Sequence, residues 1–164
     1  LDSSIFVVAA ETGAPLILSH SRGNPQVMKD YTDYPTGIID GVAVELRERI
    51  DAALSVGCQA YQLILDPGLG FAKTPEQDLQ IVKSFANLCS SPLLTDGLPR
   101  LPWLVGPSRK SFIGKLADEP LAKNRVPGTI AVVTALKERG MDIVRVHDSK
   151  PVCQALKVVD ALCE

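Results

Sequence analysis

The segment near the end of the chain reads Met141-Asp142-Ile143-Val144-Arg145-Val146-His147-Asp148. It is short, rich in β-branched residues and lies between two helical patterns, which predicts a parallel strand covered on both faces. Because side chains alternate along a strand, Arg145 and His147 would share one face, roughly 6.6 Å apart. A buried cation is costly unless it has a partner. The pair therefore indicates a binding site for a diphosphate or a similar anion, or else an internal salt bridge to a neighbouring strand.

Helical and strand patterns alternate along the rest of the chain. Predicted strands cover 15–19, 59–65, 103–105 and 141–148, and predicted helices cover 3–12, 40–56, 129–139, 150–162 and the stretches that open at Thr74 and Arg109. Four strands that are each followed by a helix predict an all-parallel sheet with right-handed crossovers. A doubly wound sheet and a (β/α)8 barrel both match, but no Gly-x-Gly-x-x-Gly fingerprint follows the first strand.

Polar chemistry marks the end of every predicted strand. The four ends are His20-Ser21-Arg22, Asp66, Ser108-Arg109-Lys110 and Arg145-Val146-His147-Asp148. Catalytic residues of barrels gather where strands end, which favours the barrel. A complete barrel needs about 250 residues and eight strands, so the 164 residues correspond to about half of one. The chain starts at Leu1 inside a helical pattern, and we expect it to be a piece of a longer protein.

The composition excludes several functional classes. The net charge is −2, which provides no electrostatic footprint for nucleic acid or an anionic membrane. No apolar run approaches the length of a membrane span, and no signal peptide pattern opens the chain. The cysteines have no Cys-x-x-Cys spacing, so we expect small buried residues in a reducing compartment, without disulfide or metal roles. They are Cys58, Cys89, Cys153 and Cys163.

Asp66 opens the turn Asp66-Pro67-Gly68-Leu69-Gly70-Phe71 at the end of the second predicted strand. Its two glycines would let the backbone approach a ligand closely. The carboxylate could accept a paired donor edge, such as the N–H and amino group of a guanidine-like heterocycle. A common turn-forming Asp-Pro-Gly explains the same residues. Phe71 would either wall the site or belong to the core.

The motif Ser108-Arg109-Lys110-Ser111 follows the third predicted strand. Ser108 is a plausible N-cap, which would place two cations in the first turn of a helix, where the macrodipole disfavours them. Such a motif indicates an acidic or carbonyl-bearing ligand held by Lys110 and the helix N–H groups. The alternative is a solvated surface pair.

Three further polar residues are expected to have no catalytic role. His20 has no acidic partner visible in the sequence and is predicted to be a core histidine. Arg22 is predicted to be exposed, and Lys73 to be a surface lysine.

Taken together, the motifs at 66–71, 106–111 and 145–148 and the string His20-Ser21-Arg22-Gly23 resemble dihydropteroate synthases. Their order and spacing are similar to the C-terminal half of that family along the whole chain, 1–164, which would be the C-terminal portion of a pterin-binding domain. The resemblance implies an α/β fold, the C-terminal half of a (β/α)8 TIM barrel with four parallel strands alternating with helices. It also implies a transferase of folate biosynthesis, a target of sulfonamides. Such an enzyme condenses a dihydropterin methyl diphosphate with p-aminobenzoate and releases diphosphate.

The resemblance also implies a role for each matching residue. Asp66 would hold the N–H and amino edge of the pterin, in a pocket lined by Phe71. Lys110 would contact the pterin carbonyl and ring nitrogen, with its stem against p-aminobenzoate. Ser111 would help to place the p-aminobenzoate carboxylate, and Arg145 and His147 would bind the leaving diphosphate. Lys110, Arg145 and His147 are the expected catalytic residues.

Some implied features fall outside these motifs. The family uses Mg²⁺, whose ligands we expect in the missing N-terminal half, and no metal ligand is predicted here. A homodimer is expected for a full-length enzyme, with no nucleic-acid or membrane partner. The Ser21-Arg22 pair resembles eukaryotic forms that are fused to a pyrophosphokinase. The expected location is cytoplasmic, or mitochondrial if the chain comes from such a fused enzyme.

Two other classes of function stay open. A non-catalytic or methyltetrahydrofolate-binding pterin module would share the fold but would need no anion site. The pairs Arg145/His147 and Arg109/Lys110 argue against that alternative. An inactive half-barrel is the third reading.

Overall fold

A computed structural model describes residues 4–163, apart from the side chain of Cys163. The predicted helical position Ser3 lies outside the described residues. Four strands are present: β1 (Leu16–Ser19), β2 (Leu63–Asp66), β3 (Leu104–Val105) and β4 (Ile143–Val144). The α-helices are α1 (Ser4–Thr12), α2 (Ile38–Ser55), α3 (Pro75–Lys83), α4 (Phe85–Cys89), α5 (Pro92–Thr95), α6 (Ser111–Leu116), α7 (Val126–Lys137) and α8 (Ser149–Cys163). Short 3₁₀ turns lie at Met28–Asp30, Ala60–Gln62 and Ala122–Asn124.

The strands follow one another in parallel, as the alternating pattern predicts. β1 pairs with β2, so that Ser19 lies opposite Asp66, and β3 pairs with β4. A parallel bridge from Leu65 to Trp103 links the two pairs. The carboxyl ends of all four strands therefore lie along one edge, where barrel proteins carry their sites.

Helix α2 supplies much of the core because its apolar residues recur at helical spacing. Val42, Leu46, Ile50 and Ala53 are fully buried, and α2 packs against β1, α1, α3 and two shorter helices. Helix α3 begins as its sequence predicts. Thr74 Oγ1 accepts a hydrogen bond from the Gln77 amide, and Gln77 Oε1 accepts one from the Thr74 amide.

The prediction that β4 is covered on both faces is wrong. Ile143 is 39% exposed, and both Arg145 and His147 are exposed. Among the described residues β4 pairs only with β3, so its other edge is open. The cost of burying unpaired cations therefore does not apply to Arg145 and His147 here, and an anion site at this strand end depends on their positions instead.

The cysteine prediction is only partly correct. Cys58 is buried, but Cys89 is half-buried and Cys153 is exposed on α8; all three are free. The side chain of Cys163 lies outside the described residues. In the part of the chain that the structure describes, no helix is both long and apolar enough to cross a membrane.

Candidate functional site

A cleft of about 290 Å³ opens at the ends of the strands. It contains three of the expected ligand-binding residues that follow β3 and β4, namely Lys110, Arg145 and His147, together with the expected pocket residue Phe71. The remaining lining residues are Gly106, Ser108 and Val146. Residues up to 76 positions apart in sequence thus meet in one cationic cleft, because parallel strands end on the same side.

Arg145 reaches across the end of β3. Its amide donates to the carbonyl of Val105 at 3.0 Å, which continues the β3–β4 ladder by one residue. Its guanidinium passes close to Gly106, where an added β-carbon would lie 3.2 Å from Nη2. The absence of a side chain at Gly106 therefore leaves room for the guanidinium, which is exposed at the cleft and can meet an anion.

Ser108 fixes the orientation of His147. The Ser108 hydroxyl oxygen accepts a hydrogen bond from the His147 amide at 3.2 Å, and it lies 2.8 Å from His147 Nδ1. The hydroxyl can donate to Nδ1 or accept from it, according to the tautomer. In the tautomer with the proton on Nε2, the hydroxyl donates to Nδ1 and Nε2–H is a donor suited to a phosphate oxygen.

The helix after β3 begins later than predicted. α6 starts at Ser111 with Lys110 at the N-cap position, so Ser108 is not the cap. Arg109 adopts a φ of 59°, a left-handed conformation that is not part of a right-handed α-helix, so the helix begins after this residue. The two cations therefore precede the first helical turn, and the argument from the helix dipole fails.

Arg109 and Lys110 point to different partners. Arg109 makes a two-pronged pair with Asp148, with distances of 3.0 Å from Nε and 2.7 Å from Nη2. The Arg109 hydrogen bond holds the pKa of Asp148 below its usual range. Lys110 instead faces the cleft. Of Arg109 and Lys110, only Lys110 is therefore available to a ligand there.

Lys110 lies against the aromatic ring of Phe71, with Nζ 4.4 Å from the ring centre. This is a cation–π contact. Burial lowers the pKa of Lys110, and Arg145 lowers it further, whereas Asp78 and Asp66 oppose the shift. Gly70 makes the approach possible, since a β-carbon there would lie 3.2 Å from Nζ and the φ of Gly70 is 78°.

Asp66 lies at the end of β2 and is only 4% exposed. Its Oδ2 accepts a hydrogen bond from the Ser19 hydroxyl at 2.9 Å, and its Oδ1 accepts one from the Gly68 amide at 2.8 Å. Each carboxylate oxygen can accept two hydrogen bonds. Asp66 thus keeps one acceptor position on each oxygen, in an orientation fixed by its own turn.

A second cleft, of about 370 Å³, lies on the other side of the turn formed by residues 66–71. Ser111 lines this cleft and not the cationic one. Its other lining residues come from the loop after β1 and from the start of α3, and they are Met28, Lys29, Thr32, Gly70, Ala72, Lys73, Thr74 and Pro75. Lys110 and Ser111 are adjacent in sequence, so they join the two clefts.

The predictions for His20 and Lys73 have different outcomes. His20 is fully buried, as expected of a core histidine, but it has an acidic neighbour: its Nε2 lies 3.2 Å from Glu45 Oε2. That contact does not meet hydrogen-bond geometry. Lys73 is not a surface lysine, because it is 9% exposed and its ammonium lies 2.8 Å from His20 Nδ1. Burial first, and then Lys73, lower the pKa of His20 to about 2.

Arg22 is also more engaged than predicted. Its Nε donates to Glu45 at 2.8 Å, and its guanidinium lies 3.8 Å from the centre of the Tyr34 ring. The Tyr34 hydroxyl in turn donates to the carbonyl of Ala72 at 3.0 Å. Glu45, Tyr34 and Asp78 were missed by sequence reasoning. They lie on predicted helices or in a loop, and no local motif distinguishes them.

The fold and the cleft together are those of an α/β protein with parallel strands and a cationic cleft at the strand ends, as in (β/α)8 barrel enzymes. The family model described as "Pterin binding enzyme" matches residues 1–147, and the chain belongs to that family. The resemblance found in the four motifs is confirmed.

Named relatives of the chain are consistent with this family membership. The chain is 45% identical to "Dihydropteroate synthase" of Synechocystis over 98% of its own length and 53% of that protein. It is 36% identical to "Folate synthesis bifunctional protein, mitochondrial" of Pisum sativum over 99% of its own length and 32% of that protein. The chain thus spans about half, or less, of the curated relatives it matches. Bacterial proteins and fused plant proteins both match the chain.

Solved structures show the same fold. Thermus thermophilus dihydropteroate synthase in complex with 4-aminobenzoate superposes with a TM-score of 0.87, at 30% identity, over 99% of this chain and 62% of that chain. The same enzyme in complex with 6HMPPP gives a TM-score of 0.86. The chain therefore has the architecture of the C-terminal half of a (β/α)8 barrel.

Proposed function

We propose that the protein containing this chain is a dihydropteroate synthase, a transferase of alkyl or aryl groups other than methyl. It would condense (7,8-dihydropterin-6-yl)methyl diphosphate with p-aminobenzoate. The observation that carries the proposal is the position of Lys110 between two clefts, one with Arg145 and His147 and the other with Ser111. A reaction that joins an anionic pterin to an aromatic acid needs such a divided site.

The first cleft suits the diphosphate. Arg145 and His147 present a guanidinium and an imidazole donor on one side, and Lys110 adds a second cation. In the proposed reaction the bond between the pterin methylene carbon and the diphosphate oxygen breaks, and its electron pair leaves with diphosphate. Fixed donors that face this developing charge lower the barrier. No covalent enzyme nucleophile is required.

The second cleft suits p-aminobenzoate. Ser111 lies at the start of α6 and would receive the carboxylate, while the stem of Lys110 would cover the ring. The amine nitrogen attacks the methylene carbon as a neutral nucleophile and then releases one proton. Asp66, with two free acceptor positions, would hold the donor edge of the pterin.

Magnesium has no ligand set in this part of the protein. Across residues 4–163, no group of three or more His, Cys, Asp or Glu side chains could hold a metal ion. The proposed ligands of Mg²⁺ therefore belong to the other half of the barrel. A homodimer and a cytoplasmic location, or a mitochondrial one for a fused enzyme, remain part of the proposal.

The alternative is a pterin module that binds methyltetrahydrofolate or has no catalytic activity. Such a module has no use for Arg145 and His147 together at one cleft. Diphosphate binding by the full-length protein would therefore favour the synthase, whereas tight binding of methyltetrahydrofolate without any affinity for diphosphate would favour the module.

Turnover by the full-length protein is the direct test. The protein should form dihydropteroate from the two substrates, and Lys110→Ala should lower kcat about a hundredfold, since a cation at the reacting centre is lost. Lys115→Ala is the matched control, because Lys115 is an exposed lysine of α6 that pairs with Glu76.

The control should keep the parent's rate, and circular dichroism should show both variants folded. A Lys110→Ala rate within about twofold of the parent would remove Lys110 from the mechanism. Absence of product from the parent would refute the proposed function itself.

A further inference from the structure

The turn that carries Phe71 has almost no regular backbone pairing. Three of its residues have positive φ angles, namely Gly68 at 63°, Gly70 at 78° and Ala72 at 50°. Within it, the Phe71 amide donates to the Gly68 carbonyl at 3.1 Å. Left-handed residues other than glycine persist only where their surroundings hold them. Side chains must therefore hold this turn in place.

Lys73 makes more of these contacts than any other described side chain. Its ammonium donates to the carbonyls of Gly68 at 3.1 Å and Phe71 at 3.0 Å, and it lies 2.8 Å from His20 Nδ1. All three N–H groups of the ammonium thus have partners: two carbonyls of the turn, and the ring of His20, which directly follows β1. The ammonium ties the turn to the buried strand next to it.

Packing alone does not account for a lysine at this position. Burial lowers the pKa of Lys73 to about 7, and Asp78, Asp66 and Glu45 oppose this shift while Arg22 adds to it. A buried cation costs stability, and an apolar side chain of similar size can be as stable or more so. The bonds to the turn are what an apolar residue could not supply.

The turn held by Lys73 separates the two clefts. Phe71 lines the cationic cleft and contacts Lys110, while Gly70, Ala72 and Lys73 line the second cleft. Three other side chains brace the same turn: Asp66 accepts from the Gly68 amide at 2.8 Å, Asp78 accepts from the Gly70 amide at 2.8 Å, and Tyr34 donates to the Ala72 carbonyl. The Tyr34 ring also lies against His20, with 6.0 Å between ring centres. Among the described side chains, Lys73 is the one that makes polar contacts with both the turn and His20.

We propose that Lys73 is a positioning residue, whose ammonium fixes the 68–71 turn against His20 and so sets the place of Phe71 and Lys110 between the two clefts. The proposal rests on the proposed function for its catalytic consequence. Lys73 touches no reacting atom in the proposed reaction and acts through the 68–71 turn.

The test replaces the ammonium and then returns it. In the full-length protein, Lys73→Ala should speed amide hydrogen exchange in residues 67–72 about tenfold or more, with α2 unchanged, because only the local tie is lost. The kcat should fall about ten- to a hundredfold, since small misplacements of reacting groups cost that much. The KM for the pterin diphosphate should change less than kcat, because Arg145 lies outside the turn and Asp66 keeps its second bond, from the Ser19 hydroxyl.

Chemical rescue distinguishes positioning from packing. Lys73→Ala removes the equivalent of propylammonium from a residue that lines an open cleft. Millimolar propylammonium should restore slow exchange in 67–72 and several-fold of the lost turnover. Tetramethylammonium, which has the charge without N–H donors, and propanol, which has one donor, should not. Lys83→Ala, at an exposed lysine at the end of α3, is the matched control and should behave as the parent.

Three outcomes would overturn the proposal: unchanged exchange in 67–72, equal acceleration throughout α2, or equal rescue by all three additives. Should Lys73→Ala fail to fold, Lys73→Met keeps the stem, and acceleration confined to 67–72 in that variant supports the proposal while its absence refutes it. Exchange and its rescue need no turnover. A parent that forms no dihydropteroate would therefore refute the proposed function and leave the role of Lys73 to be judged on exchange.

Discussion

Surroundings decide what each charged residue does in this protein. Lys73 and Lys110 both lie close to the Gly70 turn, yet the first is closed in by His20 and two carbonyls and the second faces a cleft. Arg109 and Arg145 show the same contrast, since Asp148 occupies Arg109 and leaves Arg145 to meet a ligand. A cation is available for binding only where no acceptor group of the protein already satisfies it.

Arg145→Ala should weaken diphosphate binding about ten- to a hundredfold, because a charge-assisted hydrogen bond contributes roughly 1.5–3 kcal/mol. A pterin that lacks the diphosphate should bind the variant almost as well as the parent, since the proposed contact of the ring is with Asp66. Calorimetry with both ligands on the full-length protein makes the comparison. Equal losses for the two ligands would make Arg145 a structural residue.

Acid should destabilise the protein through His20. Its pKa is lowered from 6.5 to about 2 in the folded state, so below pH 6.5 the unfolded chain binds a proton that the folded protein excludes. The free energy of unfolding that depends on neutral His20 is therefore fully present above pH 6.5. It falls by roughly 1.4 kcal/mol per pH unit as the pH drops from 6.5 to 2.

Urea unfolding of the full-length protein at pH 7 and pH 5 measures this effect. Between those values the parent should lose about 2 kcal/mol more than a His20→Gln variant, which cannot titrate. Carboxylates titrate in both proteins and cancel in the difference. Identical pH dependence in the two proteins would show that His20 is protonated when folded.

At the scale of elements, the turn between β2 and α3 is the part under most constraint. It packs so closely on the end of β1 that a β-carbon at Gly68 would overlap with the carbonyl of His20. The φ of Gly68 is also positive, at 63°. Glycine is thus required twice at this position, once by conformation and once by space.

Gly68→Ala and Gly97→Ala separate those two requirements. Gly97 has a similar φ of 70°, but nothing lies within 4 Å of an added β-carbon there. Gly97→Ala should cost about 1 kcal/mol for the conformation alone, whereas Gly68→Ala should cost about 3 kcal/mol or more because backbone must also move. Denaturant unfolding of the two variants gives both values. Equal costs would mean that the turn and β1 can separate freely.

At the scale of the molecule, the open strand edges set the behaviour of the isolated chain. Within the described residues, β1 and β4 each have a single partner strand. Apolar side chains are also exposed: Ile17 on the edge strand β1 and Ile5 and Val8 on α1 are each between 46% and 50% exposed. Unpaired edges and uncovered apolar surface favour association.

The 164-residue chain alone should therefore associate and show little synthase activity. Light scattering should give a mass above the 17.6 kDa of one chain. A protein that supplies the other half of the barrel should suppress the association. A stable monomer that makes dihydropteroate at the rate of the full-length protein would contradict the half-barrel interpretation.

The sequence by itself determined the alternation of helix and strand, the parallel order, the Thr74 cap and the polar strand ends. These features depend on residues within one or two turns of each other, through periodicity and local hydrogen bonds. The meeting of Lys110, Arg145 and His147 also followed from sequence, because parallel strands end on one side.

Only the tertiary structure decided which of these groups are buried and which are already paired. Lys73 meets His20 across 53 positions, and Arg109 meets Asp148 across 39. The start of α6 at Ser111 and the exposure of Arg145 likewise depend on what lies beside each segment. Desolvation and ion pairing are properties of groups that the folded chain brings together, and no local pattern records which distant segment will arrive.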